Sequence, residues 1–277
     1  MQIDQSTADA HQLSDHQCSF LNAFLSVYDV KGKDVLEVGG AMPSALVLDY
    51  LGANSWTCIQ SSEYAQYCND NQIPSMHMMA TRYFPIYANI EELLDDNRLK
   101  AKFDAVFSIA CFEHLHKLPQ ALNVIYQALR PSGILFSMFA PIWSGPWGQH
   151  YTGTIPDRFD PIKPGQHWST GDIFGPWDHL LMSRFKFFEH YKVKFDAAFS
   201  EELTYITYNS PQINRYYFED YEHFFNQTKF HKKIFKGIFS LTQNSLHEIE
   251  IDNLRIKHAA SGYSNFTDSG IVVLLQK

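Results

Sequence analysis

Glu37 stands two residues before a glycine pair, Gly39-Gly40, at the end of the short run Val35–Val38. A glycine turn after a strand lets a ligand reach the main chain, because no Cβ blocks the approach and unusual φ values are tolerated. In an open parallel sheet such ligands bind beyond the carboxyl ends of the strands, where the strand order switches direction. The carboxylate narrows the ligand. It would repel a phosphate, and the G-x-G-x-x-G fingerprint that seats a pyrophosphate on a helix N-terminus is absent. A nicotinamide-dependent dehydrogenase is therefore the weaker reading. A cationic group, such as an ammonium, suits Glu37 better. The structural alternative is that Glu37 caps the amides of its own turn.

A second set of chemistry-bearing residues falls between positions 141 and 182: Trp143, Trp147, His150, Tyr151, His167, Trp168, Asp172 and Trp177. Aromatic rings would exclude water and stack a planar or apolar substrate. His150 or His167 could take a proton from a hydroxyl or amine, since imidazole titrates near neutrality. Tyr151 is a third candidate. The plainer reading is that these residues pack a long loop. Glu113-His114 also invites a catalytic role, with His114 as a base, but a structural reading is preferred. No H-E-x-x-H and no Cys/His cluster occurs, so no metal is expected. Lys232, Lys233 and Lys236 form a small basic patch that reads as a solvated face.

The elements that must position these residues follow from periodicity. Residues 1–12 read as a frayed arm. Leu21, Phe24, Leu25 and Tyr28 recur on one helix face, and Lys31-Gly32-Lys33 ends that helix. Asp34–Val38 is a strand, and Ser44–Leu51 a helix that Pro43 can open. Trp56–Ile59 is the second strand, with Ser61-Ser62-Glu63 as an N-cap and acidic first turn. A third strand is predicted near Phe84–Ala88, a short helix over Ile90–Leu94, a strand over Phe103–Ile109 and a helix over Leu118–Leu129. Pro131-Ser132-Gly133 should turn the chain into the strand Ile134–Ala140. This alternation means parallel βαβ units. From Pro141 the pattern changes. Residues 141–182 hold four of the five tryptophans and read as an aromatic lid. Residues 183–229 look like helices on the sheet edge, and Phe230–Thr242 and Ile271–Gln276 are the closing strands.

Composition bounds the function. The chain has 277 residues, 45% hydrophobic and 19% charged, enough for one large α/β domain. The net charge of −8, with no long Lys/Arg run, argues against a nucleic-acid binder. The four cysteines form no CxxC pair and read as reduced thiols, and the polar N-terminus is no secretory signal, so a cytoplasmic protein is expected. No apolar run approaches the ~20 residues of a membrane span.

Four segments in order carry a resemblance. Glu37-Val38-Gly39-Gly40, Ala88–Leu93, Phe103–Ser108 with Phe112–Leu115, and Leu129–Leu135 resemble the successive motifs of class I S-adenosylmethionine-dependent methyltransferases of the small-molecule type. The resemblance covers roughly residues 20–140, with a final strand at 270–277. It implies a Rossmann-like, mostly parallel seven-stranded sheet with helices on both faces and the aromatic-rich lid inserted after the fifth strand. The whole chain, 1–277, would be a single domain: an N-terminal helical arm (1–33), a cofactor-binding core (34–140), a lid and cap (141–229) and terminal strands (230–277). It implies S-adenosyl-L-methionine as cofactor, and methyl transfer to oxygen or nitrogen of a small-molecule, sugar-derived or peptide-derived substrate. By position, Glu37 would lie near the methionine ammonium, and Gly39 and Gly40 under the methionine and ribose. Gln60, followed by Ser61, stands where an acidic residue grips the ribose. Asn89 and Ile90 stand at the adenine, and Ser108 and Ile109 at the methionine end. Two positions depart from the family pattern. Gln60 is neutral, and Ala41 replaces a glycine. A non-catalytic binding or scaffold domain is the alternative they raise.

Overall fold

The computed structural model describes residues 2–61, 66, 81–151, 173–241 and 247–277. These divide into two compact units. One comprises 1–139, 224–236 and 272–277, the other 140–223 and 237–271. The first crossing, Phe139 to Ala140, lies where the strand–helix alternation of the sequence stops.

The strands are β1 (Asp34–Val38), β2 (Ser55–Gln60), β3 (Tyr83–Tyr87), β4 (Phe103–Ile109), β5 (Leu129–Phe139), β6 (His231–Ile238) and β7 (Gly270–Gln276). They form one sheet in the order β3-β2-β1-β4-β5-β7-β6. The five strands from β3 to β5 are parallel, with Glu37 beside Cys58 on β2 and Phe107 on β4. The order reverses between β1 and β4, which places the switch point at their carboxyl ends. β3 is an end strand and is mostly exposed, which accommodates Pro85, a residue with no N–H to give the ladder.

Helices flank the sheet. The helix Asp15–Val27 opens with a capping box at Ser14 and Gln17 and buries Phe20, Leu21, Phe24 and Leu25. Phe24 stacks on Phe107 of β4 at 4.8 Å between ring centroids. The helix Leu118–Ala128 buries Leu118, Ala121, Leu122, Ile125 and Ala128 at helical spacing.

Several details differ from the sequence expectation. The arm is tied down: Gln5–Ala10 is a helix capped by Asp4, and the main chain of Ile3 exchanges two hydrogen bonds with the Asn22 side chain, at 2.7 and 2.8 Å. The helix after Pro43 is a π-helix, Ala45–Tyr50, closed by Leu51 N–H donating to Leu46 O at 2.8 Å. Pro131-Ser132-Gly133 lies inside β5 as a bulge. The β4–β5 register steps from Phe103/Leu129 to Ala105/Ile134, with Ser132 at φ +67°. Arg130 anchors that bulge through Asp34 and Asp104, each at 2.8 Å.

In the second unit, Trp143 and Trp177 are core residues, packed with Leu180, Ile213, Ile251, Leu254 and Phe266. The Trp177 indole donates to Phe266 O at 2.6 Å. The helices Arg184–Lys194 and Ala197–Tyr208 contribute Phe187, Tyr191, Phe199 and Leu203 to a second cluster in this unit. Glu248–His258 is a helix that the sequence reading omitted from the terminal segment.

Candidate cofactor site

The carboxyl ends of β1, β2 and β4, with the turn after β3, bring together most of the residues singled out by sequence. Gly39 follows β1, its N–H donating to Ile59 O of β2 at 2.9 Å. Gln60 ends β2, buried at 6% exposure, and its carbonyl accepts the Ala88 N–H at 2.9 Å. Ser61 follows, half-buried. Asn89 precedes the 3-10 turn Ile90–Glu92, with its amide donating to Glu92 Oε1 at 3.3 Å, and Ile90 is buried. Ser108 and Ile109 end β4. The Ser108 hydroxyl donates to Val38 O at 2.9 Å, so it ties β4 to β1 beside the turn.

The glycine turn is open on one side and closed on the other. Gly39 is solvent-exposed at φ +85°, while the strand residues before it are buried. A Cβ on Gly39 would collide with the buried Cys111 side chain, and one on Gly40 with Glu37 Oε1. Both glycines are thus required by neighbours on the protein side, and the exposed side of Gly39 presents bare main chain. That cradle fits a nucleoside-methionine ligand approaching from the strand ends.

Glu37 is 1% exposed, and its donors are internal. Oε2 accepts the Trp56 indole N–H at 2.6 Å and the Met42 N–H at 2.9 Å, while Oε1 lies 3.2 Å from the same Met42 nitrogen. Burial pushes the carboxyl up to about 7, against the opposing effect of those two donors. Burial raises the Cys111 thiol well above its ordinary value, with Glu113 and Glu91 adding to the shift. This cysteine is a packing group over Gly39 and carries no thiolate.

Trp56, Tyr83 and Cys111 organise the turn, and sequence reasoning missed all three. Trp56 carried one readable signal: a tryptophan in a buried strand needs a partner for its N–H, and a carboxylate on the neighbouring strand is a natural one.

His150 and Tyr151 belong to the second unit. His150 is partly buried at φ +50°. Tyr151 is 3% exposed, packed edge-on against Phe174 and Phe199, and burial raises its phenol to about 12. His167, with Trp168 and Asp172, lies outside the described residues, as do Ser62 and Glu63 of the expected N-cap. Glu113 is buried and His114 exposed on the 3-10 turn Phe112–His114. No described helix is long and apolar enough to cross a membrane.

The profile of the methyltransferase domain family matches residues 10–182. No curated protein matches the sequence. Among solved structures, an S-adenosylmethionine-dependent methyltransferase from Mesorhizobium loti is 11% identical, with a TM-score of 0.48, covering 92% of this chain and 95% of that one. Phosphoethanolamine N-methyltransferase 2 from Haemonchus contortus, solved with S-adenosyl-L-methionine, is 12% identical with a TM-score of 0.49, covering 94% of this chain and 51% of that one. With its glycine turn at the β1/β4 switch point and more than half its length matched by the family profile, the chain belongs to the class I S-adenosylmethionine-dependent methyltransferases.

Proposed function

We propose that this chain transfers a methyl group from S-adenosyl-L-methionine to an oxygen or nitrogen of a small-molecule, sugar-derived or peptide-derived acceptor. The observation that carries the reading is the exposed, positive-φ Gly39 at the β1/β4 switch point. Glu37, Gly39, Gly40, Gln60, Ser61, Asn89, Ile90, Ser108 and Ile109 would hold the cofactor. When bound, the cofactor supplies an electrophilic methyl group on a sulfonium. The chain's own part is positioning: the strand ends orient the donor, and exclusion of water keeps the methyl for the acceptor. The aromatic segment 141–182 is proposed to carry the acceptor surface, with His150 or His167 taking the acceptor's proton and Tyr151 beside His150 in sequence. Calorimetric titration with S-adenosylmethionine and its demethylated product tests this. Saturable binding of both is expected, and no binding of either at millimolar concentration would end the reading.

The second reading, a binding or scaffold domain, is favoured by Gln60. A neutral amide forms weaker hydrogen bonds than a carboxylate, by roughly half. Gln60→Glu is therefore expected to tighten cofactor binding about tenfold, the effect of roughly 1.4 kcal/mol. Unchanged affinity in the same calorimeter would mean that Gln60 does not face the ribose.

A further inference from the structure

Two side chains outside the strand-end set hold the glycine turn from behind. Met42 is where the turn gives way to the π-helix, and both of its main-chain polar atoms are held by side chains. Its N–H donates to Glu37, and its carbonyl accepts the Tyr83 hydroxyl at 2.9 Å. Glu37 is itself fixed by the Trp56 indole at 2.6 Å. Trp56 on β2 and Tyr83 on β3 are register partners, so one rung of the sheet reaches both ends of this arrangement. All four residues are buried, at 0–5% exposure. We propose that Trp56 and Tyr83 are positioning residues for cofactor binding, Trp56 by fixing the Glu37 carboxylate and Tyr83 by fixing the far end of the turn, so that Gly39 and Gly40 present one main-chain conformation to the ligand. This rests on the functional reading above.

The two oxygens of Glu37 have different surroundings. Oε2 takes both short hydrogen bonds, and Oε1 faces Gly40. A proton taken up by Glu37 would therefore sit on Oε1, against the turn, while Oε2 kept its donors. The titratable groups facing the carboxylate are Cys58 from β2 and Tyr83 from β3, both held neutral by burial. Met42 faces it from the turn, and Phe107 from β4 is not ionisable. With the carboxyl titrating at about 7, binding of a ligand with a cationic end weakens as pH falls below that value. Removing the indole donor takes away a bond to the ionised form, which moves this titration upward.

The experiment is calorimetric titration of S-adenosylmethionine between pH 5.5 and 8.5 into the wild type, Trp56→Phe, Tyr83→Phe, Glu37→Gln and the Trp56→Phe/Glu37→Gln double variant, with circular dichroism of each ligand-free protein. Trp56→Phe keeps a buried ring and removes the donor. At pH 7 it is expected to lose about tenfold in affinity, and its acid limb to move up by about one pH unit, the effect of one charge-assisted hydrogen bond. Tyr83→Phe is expected to lose affinity by a similar factor without moving the limb, because its hydroxyl holds Met42 and not Glu37. In Glu37→Gln the limb disappears, and adding Trp56→Phe produces no further shift. Profiles of wild type and Trp56→Phe that superimpose within twofold overturn the proposal and leave the functional reading standing. Absence of wild-type binding overturns both. If Trp56→Phe does not fold, Tyr83→Phe and Glu37→Gln decide, and wild-type affinity and pH profile in both overturns the proposal.

Discussion

Gly39→Ala is expected to abolish measurable cofactor binding and to lower stability by about 3 kcal/mol. Two costs add. An L-residue at φ +85° loses about 1–2 kcal/mol to the left-handed backbone conformation. The new methyl group would also collide with Sγ and Cβ of Cys111. Cys111 cannot swing aside cheaply: it is 7% exposed and begins the 3-10 turn Phe112–His114, whose His114 N–H donates to Cys111 O at 2.8 Å. The turn must yield instead, by a few tenths of an ångström or more, and the main chain that faces the ligand moves with it. Cys111→Gly in the Gly39→Ala background removes the collision but not the strain. It should recover part of the lost stability, whereas Cys111→Ser should recover none. Calorimetry and thermal melts read both effects. Affinity for S-adenosylmethionine within twofold of wild type in Gly39→Ala would show that the turn lies away from the ligand.

Glu37→Gln should change how stability depends on pH. The folded carboxyl titrates at about 7, raised from 4.5 chiefly by burial. A raised acid binds its proton more tightly in the folded than in the unfolded state. Stability is therefore lost as pH rises from about 4.5 to about 7 and is level beyond that. The size is of order 3 kcal/mol for a shift of this extent. The glutamine variant keeps an oxygen for the Trp56 and Met42 donors and has no charge to bury. Whatever its offset from wild type at pH 5, it should gain about 2.5 kcal/mol relative to wild type by pH 8, since part of the change has already occurred at pH 5. Urea unfolding at the two values measures this. A constant offset across the range would mean that Glu37 titrates near its ordinary value. Asp34 runs the other way. Its carboxylate accepts from Ser55, Asn54 and Arg130 and titrates below its usual range, so its contribution is lost as pH falls. The pair of proteins isolates Glu37 because Asp34 is common to both.

The parallel core was legible because its strands are short, apolar and bounded by glycine and charged residues. Asp34–Val38 and Phe103–Ile109 are strands over the residues expected. What was hidden is what one strand does to the next. Trp56 and Glu37 are 19 positions apart in the chain, and only the β1–β2 pairing makes them donor and acceptor. Pro131-Ser132-Gly133 has turn chemistry, and the structure uses it as a bulge because Arg130 is already pinned to Asp34 and Asp104. Trp143 and Trp177 sit among glycines and prolines that locally signal a loop, yet their burial is decided by Ile251, Leu254 and Phe266, far along the chain. The helix Glu248–His258 escaped because only Ile251 and Leu254 are buried, too few to show a period.

The order of the last two strands has a consequence for how the chain is made. Among the described residues, β6 meets the sheet only through β7, which follows it in sequence and lies between it and β5. During synthesis β6 must therefore wait, with its hydrogen-bonding edges open, until β7 has emerged and found β5. Such an edge is a template for pairing with another nascent chain. Lys232, Lys233 and Lys236 lie along β6 in exposed positions. Their charge works against that mispairing during the interval, and it continues to do so afterwards, because β6 remains the outermost strand of the finished sheet.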